Sequence, residues 1–150
     1  MKNSKKNIYK YIRYFISLIR HKPFRERLKR YKLKKTILVE YLENSLLLLD
    51  KNTITSKYLL KNNLVYEKSI QTLMRAMVKE NSCVIELGAS VGFHTILLSK
   101  IARKGEIYAF EVSDVTLNRL NTNLILSKCD NVKIIEKAIS SSKTKLDFFF

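Results

Sequence analysis

Residues 83–95 decide the fold of this chain, and they read Cys83-Val84-Ile85-Glu86-Leu87-Gly88-Ala89-Ser90-Val91-Gly92-Phe93-His94-Thr95. The first five residues form a compact apolar run with one carboxylate, which predicts a short strand covered on both faces. Gly88 and Gly92 predict a turn, and the helical spacing of the apolar residues that follow predicts a helix ending near Lys104-Gly105. This unit favours a ligand site, because glycine lets backbone approach a ligand and a helix start offers unpaired N–H groups.

A second apolar strand, Ile107-Tyr108-Ala109-Phe110, also ends in a carboxylate, Glu111. The separation 111 − 86 is 25 residues, close to the roughly 20 residues at which an acidic residue binds ribose hydroxyls in nucleotide-binding units. The glycine spacing is G-x-x-x-G and not the G-x-G-x-x-G of dinucleotide folds, which favours a nucleoside ligand without a pyrophosphate. A tight strand-to-helix turn with an incidental glutamate is the alternative that so short a motif leaves open.

The residues from Glu86 to Gly92 resemble the first motif of class I S-adenosylmethionine-dependent methyltransferases. A longer run resembles the FkbM-type branch of that class, and it comprises Val84–Gly92, Phe93-His94-Thr95, Tyr108–Glu111 and Asn131–Ser140. The resemblance implies an α/β fold of Rossmann-like topology with a parallel sheet and S-adenosyl-L-methionine as cofactor. It also implies methyl transfer to a hydroxyl group on a sugar, a glycan or another small acceptor.

The same resemblance implies roles for the glycine turn and the two carboxylates. Glu86 would orient the methionine end of the cofactor and Glu111 would hold the ribose hydroxyls. The residues that would wrap the methionine end are those of the turn, Gly88, Ala89, Ser90 and Gly92. Ser90 stands where the branch usually has Asn, and Val112 stands where it usually has Pro.

Three further residues are candidates at this site. Glu67 belongs to a Tyr66-Glu67 pair that resembles one preceding the first strand in FkbM-type enzymes; it either lines the cofactor mouth or is an exposed carboxylate at a helix start. Ala138 follows the third predicted strand, where the resemblance implies contact with the adenine ring. His94 is interpreted as structural, no catalytic residue is identified, and neither the histidines nor the cysteines are spaced to bind a metal.

Positive charge is concentrated at the start of the chain. Residues 1–35 contain 14 Lys or Arg against Glu26 alone, a net charge of +13, whereas the other 115 residues have a net charge of +3. Apolar residues from Ile8 to Ile19 recur at helical spacing, which predicts a basic amphipathic helix. The helix could pack on the domain, bind an anionic membrane surface or, less favourably, bind nucleic acid. Cys83 and Cys129 make no disulfide framework, which indicates a reducing, cytoplasmic compartment.

The sequence therefore predicts three segments: a basic amphipathic helical segment (1–35), a helical lead-in (36–80) and a Rossmann-like cofactor-binding unit (81–150). In the lead-in, Ile70, Leu73, Met74 and Met77 have the spacing of core residues. The chain stops after three strands of a class that has seven, so we expect a truncated reading frame or a fragment that binds cofactor without catalysis. A partner chain could complete the sheet. The alternative function is a non-catalytic protein associated with membrane or nucleic acid, which retains a relic nucleoside-binding unit.

Overall fold

The computed structural model describes residues 35–42 and 44–142. The chain divides into two compact units, the first ending at Leu64 and the second beginning at Val65. The predicted amphipathic helix near the start lies outside the described residues, as do residues 143–150 at the end of the predicted cofactor-binding unit. Within the described ranges, no helix is both long and apolar enough to cross a bilayer.

The first unit contains a β-hairpin and a helix. Strands β1 (Thr36–Tyr41) and β2 (Ser45–Asp50) are antiparallel, and helix α1 (Ile54–Lys61) follows them. The prediction that 36–80 is a helical lead-in is therefore wrong for the hairpin. Alternate residues of β2 are buried, among them Leu47 and Leu49, and this period of two buries one face of a strand without forming a helical stripe.

The second unit is built on a parallel sheet, with the strand order β3-β4-β5. The strands are β3 (Cys83–Leu87), β4 (Glu106–Phe110) and β5 (Val132–Ile135). Helix α2 (Lys68–Met77) precedes β3, while α3 (Phe93–Ile101) and α4 (Asp114–Ser127) are the crossovers between successive strands. The predicted α/β fold is confirmed.

The core of the second unit lies on the side of the sheet that the crossover helices cover. Ile107 of β4 is fully buried and clusters with Leu98 and Ala102 of α3. Leu120 of α4 is also fully buried. Burying each such aliphatic side chain contributes about 1.5–3 kcal/mol to the stability of the fold. This packing against the helices holds β3 and β4, and therefore the turns that follow them, in place.

The opposite face of β3 is uncovered in the described part of the chain. Cys83, Ile85 and Leu87 are exposed, Ile85 to 66%, although the sequence predicted a strand buried on both faces. Successive side chains of a strand point to opposite faces. Only Val84 and Glu86 therefore point towards the helices.

The core assignment of α2 also needs correction. No residue of α2 is buried, and Ile70, Leu73 and Met77 are exposed. Only Met74 packs against the cluster of Leu98, Ala102 and Ile107. The apolar stripe of α2 is wider than its contact with this core, and the remaining side chains form the wall of a cavity described below.

Candidate functional site

The turn after β3 is fastened to the end of β4. The N–H groups of Gly88 and Ala89 both donate to the carbonyl oxygen of Phe110, at 3.0 and 2.9 Å. Gly88 has a φ of 79°, which favours glycine, and a Cβ added there would meet no atom within 4 Å. The turn is thus held from one side and open on the other, where a ligand can approach its backbone.

Gly92 has a different role from Gly88, because it packs within the protein. It begins α3 with a φ of 96°, and a Cβ on it would lie 3.0 Å from Cδ1 of Leu120. One position nearer the strand, the carbonyl oxygen of Val91 accepts a 2.7 Å hydrogen bond from Nδ2 of the fully buried Asn123. Gly92 therefore brings the turn against α4, and Asn123 secures it.

Asn123 was missed by the sequence analysis. The available signal was a polar residue three positions after Leu120, on the face of α4 that the leucine spacing predicts to be buried. A buried amide needs hydrogen-bond partners, which points to a nearby loop carbonyl.

Glu111 binds the backbone around the turn. Its Oε2 accepts from the N–H of Ser90 at 2.7 Å, and its Oε1 accepts from the N–H groups of Val112 and Ser113 at 2.8 and 2.9 Å. Burial raises the pKa of Glu111, but these N–H groups outweigh that effect, with the Thr116 hydroxyl, and hold the pKa below its ordinary value. Glu111 therefore remains ionised and joins the end of β4 to the glycine turn.

The pKa of Glu86 is shifted in the opposite direction to that of Glu111. Burial raises its pKa, and the Thr95 hydroxyl only partly opposes this. Its Oε2 is buried and has no hydrogen-bond partner among the described residues. A carboxylate in this state favours either a proton or a ligand that brings a cationic donor.

A cavity of about 590 Å³ lies between α2 and the start of α3, with β3 and its turn along one side. Its wall is largely apolar, formed by side chains such as Leu73, Met77 and Ile85. The predicted site residues that it brings together are Glu67, Glu86, Gly88, Ala89 and Ser90. Gly92, Glu111 and Ala138 do not line it.

The three residues outside the cavity wall differ in their surroundings. Glu111 contacts the cavity-lining Ser90 directly, whereas Gly92 is turned towards α4. Ala138 is exposed in the segment after β5. Its predicted contact with adenine stays a prediction.

Glu67 and His94 meet at the cavity. Nε2 of His94 lies 3.1 Å from Oε2 of Glu67. Burial lowers the pKa of His94, and the charge of Glu67 partly opposes this. Within the described ranges, no group of three or more His, Cys, Asp or Glu side chains could hold a metal ion.

No protein-family model matches this chain, and no curated protein matches it in sequence. Solved structures do match. The chain is 24% identical to TYW2 from M. jannaschii in complex with AdoMet, with a TM-score of 0.53 over 70% of this chain and 44% of that one.

Two structures from Pyrococcus horikoshii, the protein PH0793 and TYW2 in complex with MeSAdo, have TM-scores of 0.54 and 0.52 at 16% and 18% identity. Each match covers 72% of this chain and 38% of the other, so this chain spans less than half the length of these structures. At such identities the likeness shows the fold alone. The chain has the Rossmann-like fold of class I methyltransferases.

Proposed function

We propose that this chain forms the S-adenosylmethionine-binding part of a methyltransferase. The observation that carries the proposal is that Glu86 and Gly88 line the same cavity: Oε2 of Glu86 is buried without a hydrogen-bond partner among the described residues, and the turn at Gly88 is open on one side. The methionine end of the cofactor carries an ammonium group. That group would give the Glu86 carboxylate a charge-assisted hydrogen bond, the strong kind for a carboxylate at a partly buried site.

Glu111 can accept hydrogen bonds from the ribose of the cofactor only to a limited extent. An ionised carboxylate has about four acceptor positions, and backbone N–H groups occupy three of those of Glu111. At most one position is left, and the Thr116 hydroxyl also approaches this carboxylate, so one ribose hydroxyl would share or displace the Thr116 contact. A contact with both ribose hydroxyls would require the Ser90 N–H to move.

The cofactor, when bound, supplies a methyl group activated by its positive sulfur. The residues of this chain would hold and orient it: Glu86 the ammonium group, and Glu111 one ribose hydroxyl. The apolar side chains of α2 and β3 would exclude water from the cavity. Alignment and exclusion of water are the main contributions a protein makes to such a transfer.

We assign the acceptor and the subfamily by resemblance to the FkbM-type branch. The acceptor in this proposal is a hydroxyl group on a sugar or another small molecule. The proposal is supported by the motifs from Val84 to Ser140.

Calorimetric titration of the purified chain with S-adenosylhomocysteine, with NAD as the control ligand, tests cofactor binding. We expect heat of binding with the first ligand only. Gly88→Val should abolish it, because the new side chain projects into the open side of the turn. Glu111→Ala should weaken it.

A matched control is the exposed Glu136→Gln, because Glu136 does not line the cavity. Absence of heat from wild-type protein that circular dichroism shows to be folded would refute the proposal. It would favour the alternative of a relic nucleoside-binding unit.

For residues 1–35 we propose contact with an anionic membrane surface in the cytoplasm. The support is their net charge of +13 together with the amphipathic spacing of their apolar residues. Co-sedimentation with phosphatidylserine vesicles, and not with neutral phosphatidylcholine vesicles, is the expected result. Retention of a variant lacking residues 1–34 on the anionic vesicles would contradict it.

A further inference from the structure

Strand β3 lies at one edge of the parallel sheet, and in the described residues it pairs with β4 and with no other strand. The carbonyl oxygen of Ser82 accepts from an N–H of β4 at 3.3 Å, and the N–H of Gly88 donates to a carbonyl oxygen of β4 at 3.0 Å. The backbone groups of successive residues point to opposite sides of a strand. Those of Cys83, Ile85 and Leu87 therefore point to the open edge.

The sequence of β3 does not protect this edge from pairing. Natural edge strands are commonly protected by lysine, proline or a bulge. The segment from Cys83 to Leu87 has none of these, and its register with β4 is uninterrupted. At the other edge of the described sheet, β5 carries the exposed Lys133, whose Nζ is bonded to Glu106. The edge at β3 is therefore the one that is open to a further strand.

Large apolar side chains surround the open edge. Ile85 and Leu87 are 66% and 60% exposed. Leu73 and Met77 of α2 line the same cavity and are 53% and 68% exposed, and the described wall of this cavity contains no lysine or arginine. Contiguous exposed apolar surface marks an interaction site. Another strand with apolar side chains would satisfy both this surface and the backbone groups of the edge.

We propose that β3 pairs in the antiparallel direction with β3 of a second copy of this chain, which joins the two sheets into one. An edge whose residues each offer an N–H and a C=O is complementary to itself about a two-fold axis. When the axis passes beside Ile85, this residue pairs with its own counterpart, and Cys83 pairs with Leu87 of the second copy. All three residues of the open edge are then hydrogen-bonded, and no charged side chain is among them.

The position of Glu86 favours this register over its neighbours. An axis beside Glu86 would place the two Glu86 carboxylates directly opposite each other, and like charges in that position are destabilising. An axis beside Val84 would leave Leu87 beyond the end of the strand in the second copy. With the axis beside Ile85, Glu86 lies opposite Val84 of the second copy. The partner chain that could complete the sheet is thus a second copy in a defined register.

Sedimentation velocity of the full chain over the micromolar range measures the association, and we expect an equilibrium between monomer and dimer. Ile85→Lys should raise the dissociation constant of the dimer at least about tenfold, because it replaces a buried apolar pair by two opposed like charges. Ile139→Lys is the matched control, since Ile139 is 59% exposed and follows β5 outside the sheet. It should leave the equilibrium unchanged.

Disulfide formation tests the register. The chain has two cysteines, the exposed Cys83 and the buried Cys129. With the axis beside Ile85, the Cα atoms of the two Ile85 residues lie about 5.5 Å apart, which a disulfide can bridge. The two Cys83 residues lie about 14 Å apart along the strands, which it cannot. With oxidised glutathione as the oxidant, the double variant Cys83→Ser, Ile85→Cys should cross-link into a dimer, and the wild-type chain should not.

Three results would overturn the inference. A folded wild-type chain that sediments as a monomer at every concentration has no such interface. A dimer that persists unchanged in Ile85→Lys uses another surface. Equal cross-linking of the wild-type chain and the double variant contradicts the register, and this measurement decides the matter if Ile85→Lys fails to fold. No ligand is present in these experiments, so their outcome is separate from that of the cofactor titration.

Discussion

Replacing Glu86 by glutamine should weaken cofactor binding and stabilise the ligand-free protein at the same time. Oε2 of this carboxylate is buried without a hydrogen-bond partner in the described part of the chain, so its negative charge stabilises a bound cation more than it stabilises the fold. Loss of a hydrogen bond between charged groups costs about 1.5–3 kcal/mol. At about 1.4 kcal/mol per factor of ten, Glu86→Gln should weaken S-adenosylhomocysteine about 10- to 100-fold.

The effect on stability has a definite sign. The pKa of Glu86 in the folded chain is raised above its ordinary value of 4.5 by burial, so the folded state holds its proton more tightly than the unfolded state. Wild-type stability therefore declines as the pH rises from about 4.5 through the raised pKa. The glutamine variant lacks this decline, and its advantage in free energy of unfolding should grow with pH across that window.

Urea unfolding of both proteins at several pH values, together with titration of S-adenosylhomocysteine, measures the two effects. Glu106→Gln is a suitable control, because that carboxylate is exposed at the opposite end of the sheet and bonded to Lys133 and Tyr108. The pKa of Glu106 is lowered by Lys133 first, so any pH effect should have the opposite sign. Unchanged ligand affinity in a folded Glu86→Gln protein would refute the assignment of Glu86 as the cation acceptor.

Three further predictions concern the turn and the carboxylate that fastens it. Gly92→Ala should lower the free energy of unfolding by about 1–3 kcal/mol, measured in urea, because φ is 96° and Leu120 lies 3.0 Å from the added Cβ. Asn123→Ala should cost about 1–3 kcal/mol by leaving the Val91 carbonyl without this bond; an unchanged midpoint would contradict that. The lowered pKa of Glu111 contributes stability above about pH 4.5 that is lost as the pH falls through that pKa. Glu111→Gln should therefore differ most from wild type at neutral pH and least in acid, and a constant difference in urea would be evidence against it.

The sequence predicted the sheet of the second unit well, because each of its signals is local. Strand, glycine turn and helix follow one another without interruption from Cys83 to Ile101, and a second apolar strand ends in Glu111. It failed for residues 36–50, where a run of leucines suits a buried strand as well as a helix. Only the alternating burial of Leu47 and Leu49 in the folded chain distinguishes the two.

Burial was harder to predict than secondary structure, because it depends on what packs against each face. The apolar spacing of α2 correctly indicated a helix but could not show that Ile70, Leu73 and Met77 form a cavity wall. The contact of Glu67 with His94 likewise joins residues 27 positions apart (94 − 67). No local pattern contains such a contact, since it depends on how α2 is placed against α3.

The two strand-end carboxylates show most clearly what the folded chain adds to the motif. In the sequence Glu86 and Glu111 look equivalent, since each ends an apolar strand of the same sheet. In the structure Glu111 already accepts three backbone hydrogen bonds. It therefore stabilises the turn whether or not a ligand is bound. Glu86 has a buried oxygen without a hydrogen-bond partner among residues 35–42 and 44–142, so its carboxylate is the group that a bound cation would stabilise most. Their pKa values shift in opposite directions for this reason, and ligand binding should therefore change the protonation of Glu86 and not that of Glu111.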